Sequence, residues 1–381
     1  MSSVVDRALV RALAQGRGAG WLGALALGRA AIDEVLRLVV EDPRWDRQVE
    51  SRASYYASVL LALDPDVDLG VILAALASHE PDEVGLASSV LGQLAWRGHA
   101  AALEAQVARV REGVEDEWCL EGGPQFVARV FALAGRALEP DTRSGTSWPR
   151  PQLDSEIALA DLVELATRGE DPRRWMAARR LGELGHGDWI GEAETFLRSQ
   201  CGLTLAERTR GQQRLAWMRY LEALPAALTL THARAWFHAE WPLSLAADSI
   251  LRRHAEPEDR PMLAVAGAKA LAEGSMYRLC SIVEALDRIA APQSIEFLCQ
   301  VYCEVDYAYA RARACEALAA HADRPEVRSL LVEALWDCED GTRLLACEIV
   351  DPRANASRLQ ALERDEFEDA DVRAAARAAL G

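Results

Sequence analysis

The apolar positions of this chain fall at helical spacing, and Asp171 to Gly185 shows the pattern most fully: Asp-Pro-Arg-Arg-Trp-Met-Ala-Ala-Arg-Arg-Leu-Gly-Glu-Leu-Gly. Ala177, Ala178 and Leu181 form one stripe whose small side chains allow a second helix to approach closely. Asp171 is placed to cap the first turn, and Pro172 to occupy it without losing a helical hydrogen bond. Gly182 and Gly185 are places for the helix to end. The frame recurs. Counting back four and seven residues from an anchoring Leu or Val gives Leu181, Ala177 and Arg174; Leu318, Ala314 and Arg311; Val350, Ala346 and Arg343; and Leu380, Ala376 and Arg373. Leu91, Ala87 and Gly92 keep most of it, with Val84 in place of the Arg. Leu61 with Ala57, Leu251 with Ala247, and Leu221 with Arg214 keep a part.

From Leu251 onward the anchors are Leu251, Leu286, Leu318, Val350 and Leu380, a step of about 30 to 35 residues. That is the length of two short helices and two turns. A pair of that size cannot bury its apolar face alone, so neighbours must stack. The pattern predicts an all-α chain, an α–α superhelix of about nine to eleven helix pairs running from near Trp21 to Gly381. Two segments interrupt it. Glu139 to Asp154 holds Pro140, Pro149, Pro151 and Gly145 and reads as a loop or hinge, which divides the chain into residues 1–138, 139–154 and 155–381. Ala193 to Gly211 is the second irregular stretch, with a turn near Cys201-Gly202.

Composition agrees with helices: half of the 381 residues are hydrophobic, only 6% aromatic, and Ala and Leu dominate. The formal net charge of -17 argues against a free-standing nucleic-acid binder, because Lys and Arg contacts to phosphate supply most non-specific affinity. It suits solubility, or a protein partner with a basic surface. Arg173, Arg174, Arg179 and Arg180 form one local basic set, most simply the solvated face of a helix. The eight cysteines lie in a large helical chain without a secretory signal, so a disulfide framework is not expected. Trp21 to Ile32 is apolar but broken by Gly23, Gly28 and Arg29, well short of the roughly 18 uninterrupted apolar residues of a membrane span. These features predict a cytoplasmic protein with no membrane contact.

Asp171 to Gly185 and Asp371 to Gly381 (Asp-Val-Arg-Ala-Ala-Ala-Arg-Ala-Ala-Leu-Gly) resemble the second helix of HEAT repeats of the short bacterial kind, in which an Asp or Pro turn precedes Val-Arg, Ala-Ala and Leu-Gly. The resemblance implies an α-solenoid and commonly a protein-binding role. It implies no chemistry.

Residues that might carry chemistry are few. His79-Glu80 resembles the His-Glu pairs with which deoxyhypusine hydroxylase, a HEAT-type enzyme, holds two irons, but His238-Ala239-Glu240 and His254-Ala255-Glu256 carry an extra residue. One adjacent pair is too few ligands for such a centre. His232 and Trp236 share a helix face, whereas His238 and Glu240 do not. Cys299 and Cys303 also share a face, yet lack the paired short spacings on turns of a structural zinc site and read as core. Gly16 to Gly20 (Gly-Arg-Gly-Ala-Gly) lacks the Lys and Ser/Thr of a phosphate-binding loop. Trp175, Arg174 and Asp171 offer the residue types of a HEAT-like DNA glycosylase, within an acidic chain.

The expectation is a non-enzymatic scaffold or adaptor without cofactor or metal, gripping a basic protein on its concave face, in one version an immunity protein that neutralises a basic toxin or effector. Candidate contacts are Trp148, Trp175, Arg174, Trp236, His238, Glu240 and Trp241, with the acidic stretches Glu112 to Glu121 and Glu363 to Asp371. The alternative is an enzyme on the same scaffold: a lyase, a metal-dependent hydroxylase or a DNA glycosylase.

Overall fold

The computed structural model describes residues 6–78, 85–113, 123–137, 153, 157–167, 173–202 and 211–381, and among them every regular element is a helix. In chain order these are α1 (Arg7–Gln15), α2 (Gly18–Leu27), α3 (Ile32–Glu41), α4 (Ala53–Leu63), α5 (Gly70–Ser78), α6 (Gly85–Trp96), α7 (Ala100–Glu112) and α8 (Pro124–Ala134). Then come α9 (Leu159–Thr167), α10 (Arg174–Glu183), α11 (Ile190–Ser199), α12 (Gly211–Ala223), α13 (Ala226–Trp236), α14 (Leu243–His254), α15 (Arg260–Glu273) and α16 (Met276–Ile289). The last are α17 (Ile295–Glu304), α18 (Ala308–Ala319), α19 (Pro325–Glu333), α20 (Asp340–Ile349), α21 (Ala356–Arg364) and α22 (Ala370–Leu380).

Helices pack on their chain neighbours (α1 on α2, α13 on α14, α21 on α22) and on the next but one (α4 on α6, α10 on α12, α14 on α16, α20 on α22). This is the contact pattern of an α–α solenoid, in which each pair is completed by the following one. The anchors supply the contact surface: Ala177, Leu181, Leu251, Leu286, Ala314, Leu318, Ala346 and Ala376 are at most 2% exposed. The recurring Arg goes inward with them. Arg174 donates from Nε to the Ala166 carbonyl and from Nη2 to that of Thr167, both at 2.8 Å, so it saturates the open end of α9. Two expectations change here. Gly182 does not end α10; it lies inside the helix, where a Cβ would meet the Tyr220 carbonyl oxygen of α12 at 2.5 Å. Gly185, at φ +77°, takes the turn. Ala193 to Ser199 is helical, part of α11. Asp171-Pro172 and residues 203–210 lie outside the described residues, as does the Glu139 to Asp154 hinge apart from Leu153.

Contacts divide the chain into two compact units, Met1–Pro140 with Leu298–Gly381, and Asp141–Phe297. The sequence reading keeps residues 155–381 together. The contacts instead place the last helices with the first, because the two ends of the chain share one packed junction.

That junction explains the glycines near the N-terminus. Cys338 N–H donates to the Gly16 carbonyl at 2.8 Å. A Cβ at Gly16 would meet Cys338 Sγ at 2.6 Å, and one at Gly18 would meet the Glu333 carbonyl oxygen at 2.0 Å. Gly-Arg-Gly thus lets two backbones touch. Between these glycines Arg17 forks onto Glu333 with two bonds of 3.0 Å and reaches the Cys303 carbonyl at 2.9 Å. Arg52, fully buried, binds Glu50 at 2.7 Å, the Asp306 carbonyl at 2.6 Å and the Ala14 carbonyl. Glu50 in turn accepts from the Ala308 N–H at 2.8 Å. Arg311 and Asp337, both fully buried at the side chain, pair at 2.7 Å.

In the second unit, α10, α12, α14 and α16 bring their C-terminal ends side by side. Gly182 lies against Tyr220 and Ala223, and Arg252 of α14 bridges Glu222 of α12 at 2.8 Å and Glu284 of α16 at 3.4 Å. Arginine at these ends also faces the negative pole of each helix dipole.

Candidate functional site

Of the candidate contact residues, Arg174, Trp175, Trp236, His238, Glu240 and Trp241 lie in the second unit. Trp236 is 2% exposed and stacks with His232 at 5.2 Å, and Arg174 is 7% exposed and committed to α9. Neither presents a surface to a partner, which corrects both expectations: an indole and a guanidinium on the apolar stripe are drawn into the core, the one by its area, the other by the carbonyls it saturates. Trp175 is half-buried. His238 and Glu240 are exposed in the turn after α13, and Trp241 beside them is half-buried under the Arg214 guanidinium, 4.8 Å from its ring. Trp148, His79 and Glu80 lie outside the described residues. Cys315 and Cys347 are buried as small apolar groups, and Cys299 and Cys303 are half-buried. Among the described residues no three His, Cys, Asp or Glu side chains gather as a metal site would need.

The acidic stretch Glu363 to Asp371 is used by the fold. Glu363 pairs with Arg377 at 3.0 Å, and Asp369 caps α22 by accepting from Asp371 N–H at 2.8 Å. Phe367 turns inward against Trp96, edge to face at 5.1 Å, and lies 4.9 Å from the Arg97 guanidinium. This loop closes one side of a cleft.

The cleft lies wholly in the first unit and has a volume of about 340 Å³, the lower end of the range for small-ligand sites. Its walls come from distant parts of the chain: Trp21 of α2, Ser54, Ser58 and Leu61 of α4, Arg97 after α6, Trp336 and Asp337 after α19, Arg343 of α20, Arg358 and Ala361 of α21, and Asp365 and Glu368 from the α21–α22 loop. Arg343 donates to both Glu368 oxygens at 3.0 and 2.5 Å and to the carbonyls of Asp337 and Cys338 at 2.7 and 2.9 Å. Arg97 reaches Ser54 Oγ at 2.8 Å and Asp365 at 3.5 Å, while its buried Nε has no partner among the described residues. Arg358 gives Nε and Nη2 to one carbonyl, Leu335, at 3.1 and 2.9 Å, and sits 5.1 Å from the Trp336 ring and 5.8 Å from Trp21. Burial lowers the Arg358 guanidinium to about 10, with Glu368 offsetting only part of the cost. It stays charged at neutral pH.

Only fragments of this site are visible in the sequence: Arg343 as a repeat position, Trp21 as the start of the array, and Glu363 to Asp371 as an acidic run. The available clue is Phe367, an aromatic inside that run, which gains nothing from a solvated loop. No protein-family model, no curated protein and no solved structure matches the chain.

Proposed function

We propose that this chain is a non-enzymatic scaffold of HEAT-like helical repeats that holds a protein partner in the cytoplasm, as an adaptor or as an immunity protein occupying a basic toxin or effector. The observation that supports it is the state of the cleft's carboxylates. Asp337 is held by Arg311, Glu368 by Arg343 and Asp365 by Arg97. Carboxylates fixed in this way hold a wall in place, whereas a general base must be free to reach a proton on the substrate. Outside the cleft some of the acid is at the surface, as where Glu256 and Glu258, both more than half exposed, gather with the buried Asp259 on Arg234. Such groups speed encounter with a basic partner and select against acidic ones.

Capture from native lysate at low and at moderate salt, with mass spectrometry of the retained fraction, tests the reading. A discrete basic protein that is lost as salt rises is the expected result. An empty lane at both salts overturns it.

A further inference from the structure

Three arginines and three carboxylates line the cleft of the first unit, and one of those arginines has no carboxylate in an ion pair with it among the described residues. The other two are paired, Arg343 with Glu368 and Arg97 with Asp365, and Asp337 is taken by Arg311 behind the wall. Arg358 has no such match, since among the described residues it bonds only the Leu335 carbonyl and meets no carboxylate within ion-pair distance. Among the described residues its Nη1 makes no hydrogen bond, and the guanidinium lies 5.1 Å from the Trp336 ring and 5.8 Å from that of Trp21. Nearby, Arg97 Nη1 has only the long contact to Asp365, and the half-buried Ser58 hydroxyl has no partner among the described residues. Leu61 and Ala361 add an apolar wall.

We propose that this cleft captures the free C-terminal carboxylate of a partner polypeptide, with Arg358 as its anchor. One carboxylate matches the one guanidinium group without an ion pair; a phosphate dianion would bring a second negative charge beside Asp365 and Glu368. The guanidinium edge offers the charge-assisted bonds that a carboxylate accepts. A chain end also brings a backbone N–H for the Ser58 hydroxyl and a last side chain for Leu61 and Ala361, which a bare anion does not. The volume admits about one or two terminal residues, as expected for a site at the small end of the ligand range. The proposal rests on the scaffold reading and names what the partner inserts: the acidic surface steers a basic body, and the cleft takes its terminus.

The test uses the full chain and two degenerate octapeptide pools, one with free carboxyl termini and one amidated. Retention of the acid pool and not the amide pool supports the proposal. A selected acid peptide is then expected to lose at least about tenfold in affinity with Arg358→Gln, and with Ser58→Leu, which narrows the cavity without touching the anchor. If Arg358→Gln fails to fold, as judged by circular dichroism, Ser58→Leu carries the comparison. Equal retention of both pools, retention of neither, or unchanged affinity in the folded variants overturns it, as does displacement of the peptide by acetate alone at equal concentration. A lysate partner held equally by wild type and Arg358→Gln leaves the scaffold standing and removes the cleft from its interface. An acid peptide bound without any protein partner at either salt keeps the cleft and removes the scaffold.

Discussion

Arg311 meets Asp337 at 2.7 Å in the first unit with neither side chain exposed; Arg252 meets Glu222 at 2.8 Å in the second with the Arg side chain 37% exposed. The distances are alike and the physics is not. A buried pair has given up its hydration, so removing one partner strands a charge in low dielectric, while a pair whose arginine stays partly in water, as Arg252 does beside the buried Glu222, leaves that arginine hydrated when the pair is broken. The difference follows from what each unit must join. The second packs helices that are close in sequence, and apolar stripes suffice. The first closes segments as far apart as Arg17 and Glu333, 316 residues, where apolar surface alone would leave the register between the two ends loosely specified. Forked arginines that read carbonyls and carboxylates fix that register. Lys269 is the only lysine in the chain, and a lysine lacks the planar fork these contacts use.

The largest test of this contrast is Asp337→Ala. It leaves Arg311 buried without its carboxylate and is expected to cost the first unit about 3–5 kcal/mol. Hydrogen exchange during urea unfolding reads the two units separately, and protection in α10, α12, α14 and α16 should be unchanged. A loss of protection in those helices of equal size would mean that the units unfold as one.

Next in size is a matched pair of glycine changes. Gly18→Ala drives a methyl into the Glu333 carbonyl, and Gly182→Ala drives one into that of Tyr220. Backbone cannot yield as a side-chain tip does, so each is expected to cost about 1–3 kcal/mol, the first in the first unit and the second in the second. Thermal melts with exchange mapping check the assignment, and a cost for Gly18→Ala appearing in the second unit would contradict the division.

An effect of similar size depends on pH. Asp248 in the second unit is pushed up to about 7, burial outweighing Arg278 at 3.3 Å. The folded state then binds a proton that the unfolded state releases near pH 4, so this carboxyl takes stability away as pH rises from about 4 to 7, and the full loss stands above that. Asp248→Asn should remove the slope and raise the second unit's stability at pH 8 by roughly 2 kcal/mol more than at pH 5. Glu339 in the first unit, pushed up to about 7 by burial and then by Asp337, predicts the same slope there, untouched by Asp248→Asn. A flat wild-type profile in exchange protection would count against both.

The same contrast separates what was legible in the chain from what was not. Leu181, Ala177 and Leu318 declare a helix pair through spacing alone, because the partner surface is one helix away and the pattern is local. Arg311 carries the same spacing, yet its being buried depends on Asp337, 26 residues on, and on a junction with helices at the other end of the chain. Gly16 and Gly18 look like a failed phosphate loop until Cys338 and Glu333 are set against them. The cleft shows only as separate fragments, since its three arginines and two tryptophans are brought together only by the closure of the first unit. Periodicity reports the repeat; it is silent about which distant repeats meet.

The finest test lies in the second unit. Glu222 is shared by Arg219 at 2.9 Å, Arg252 at 2.8 Å and Arg253 at 3.9 Å, so Arg252→Ala leaves the carboxylate two other guanidinium groups. The expected loss is therefore about 0–1 kcal/mol, and it should shrink further as salt is raised, since the partly exposed arginines are screened. Urea titrations of Arg252→Ala, Glu222→Ala and the double variant isolate the pair from its neighbours. A coupling as large as that between Arg311 and Asp337 would mean that the row of helix ends in the second unit is itself a charge-locked junction, and that exposure is the wrong variable on which to separate the two units. A small, salt-sensitive coupling leaves the apolar stripes of α10, α12, α14 and α16 to hold that unit together.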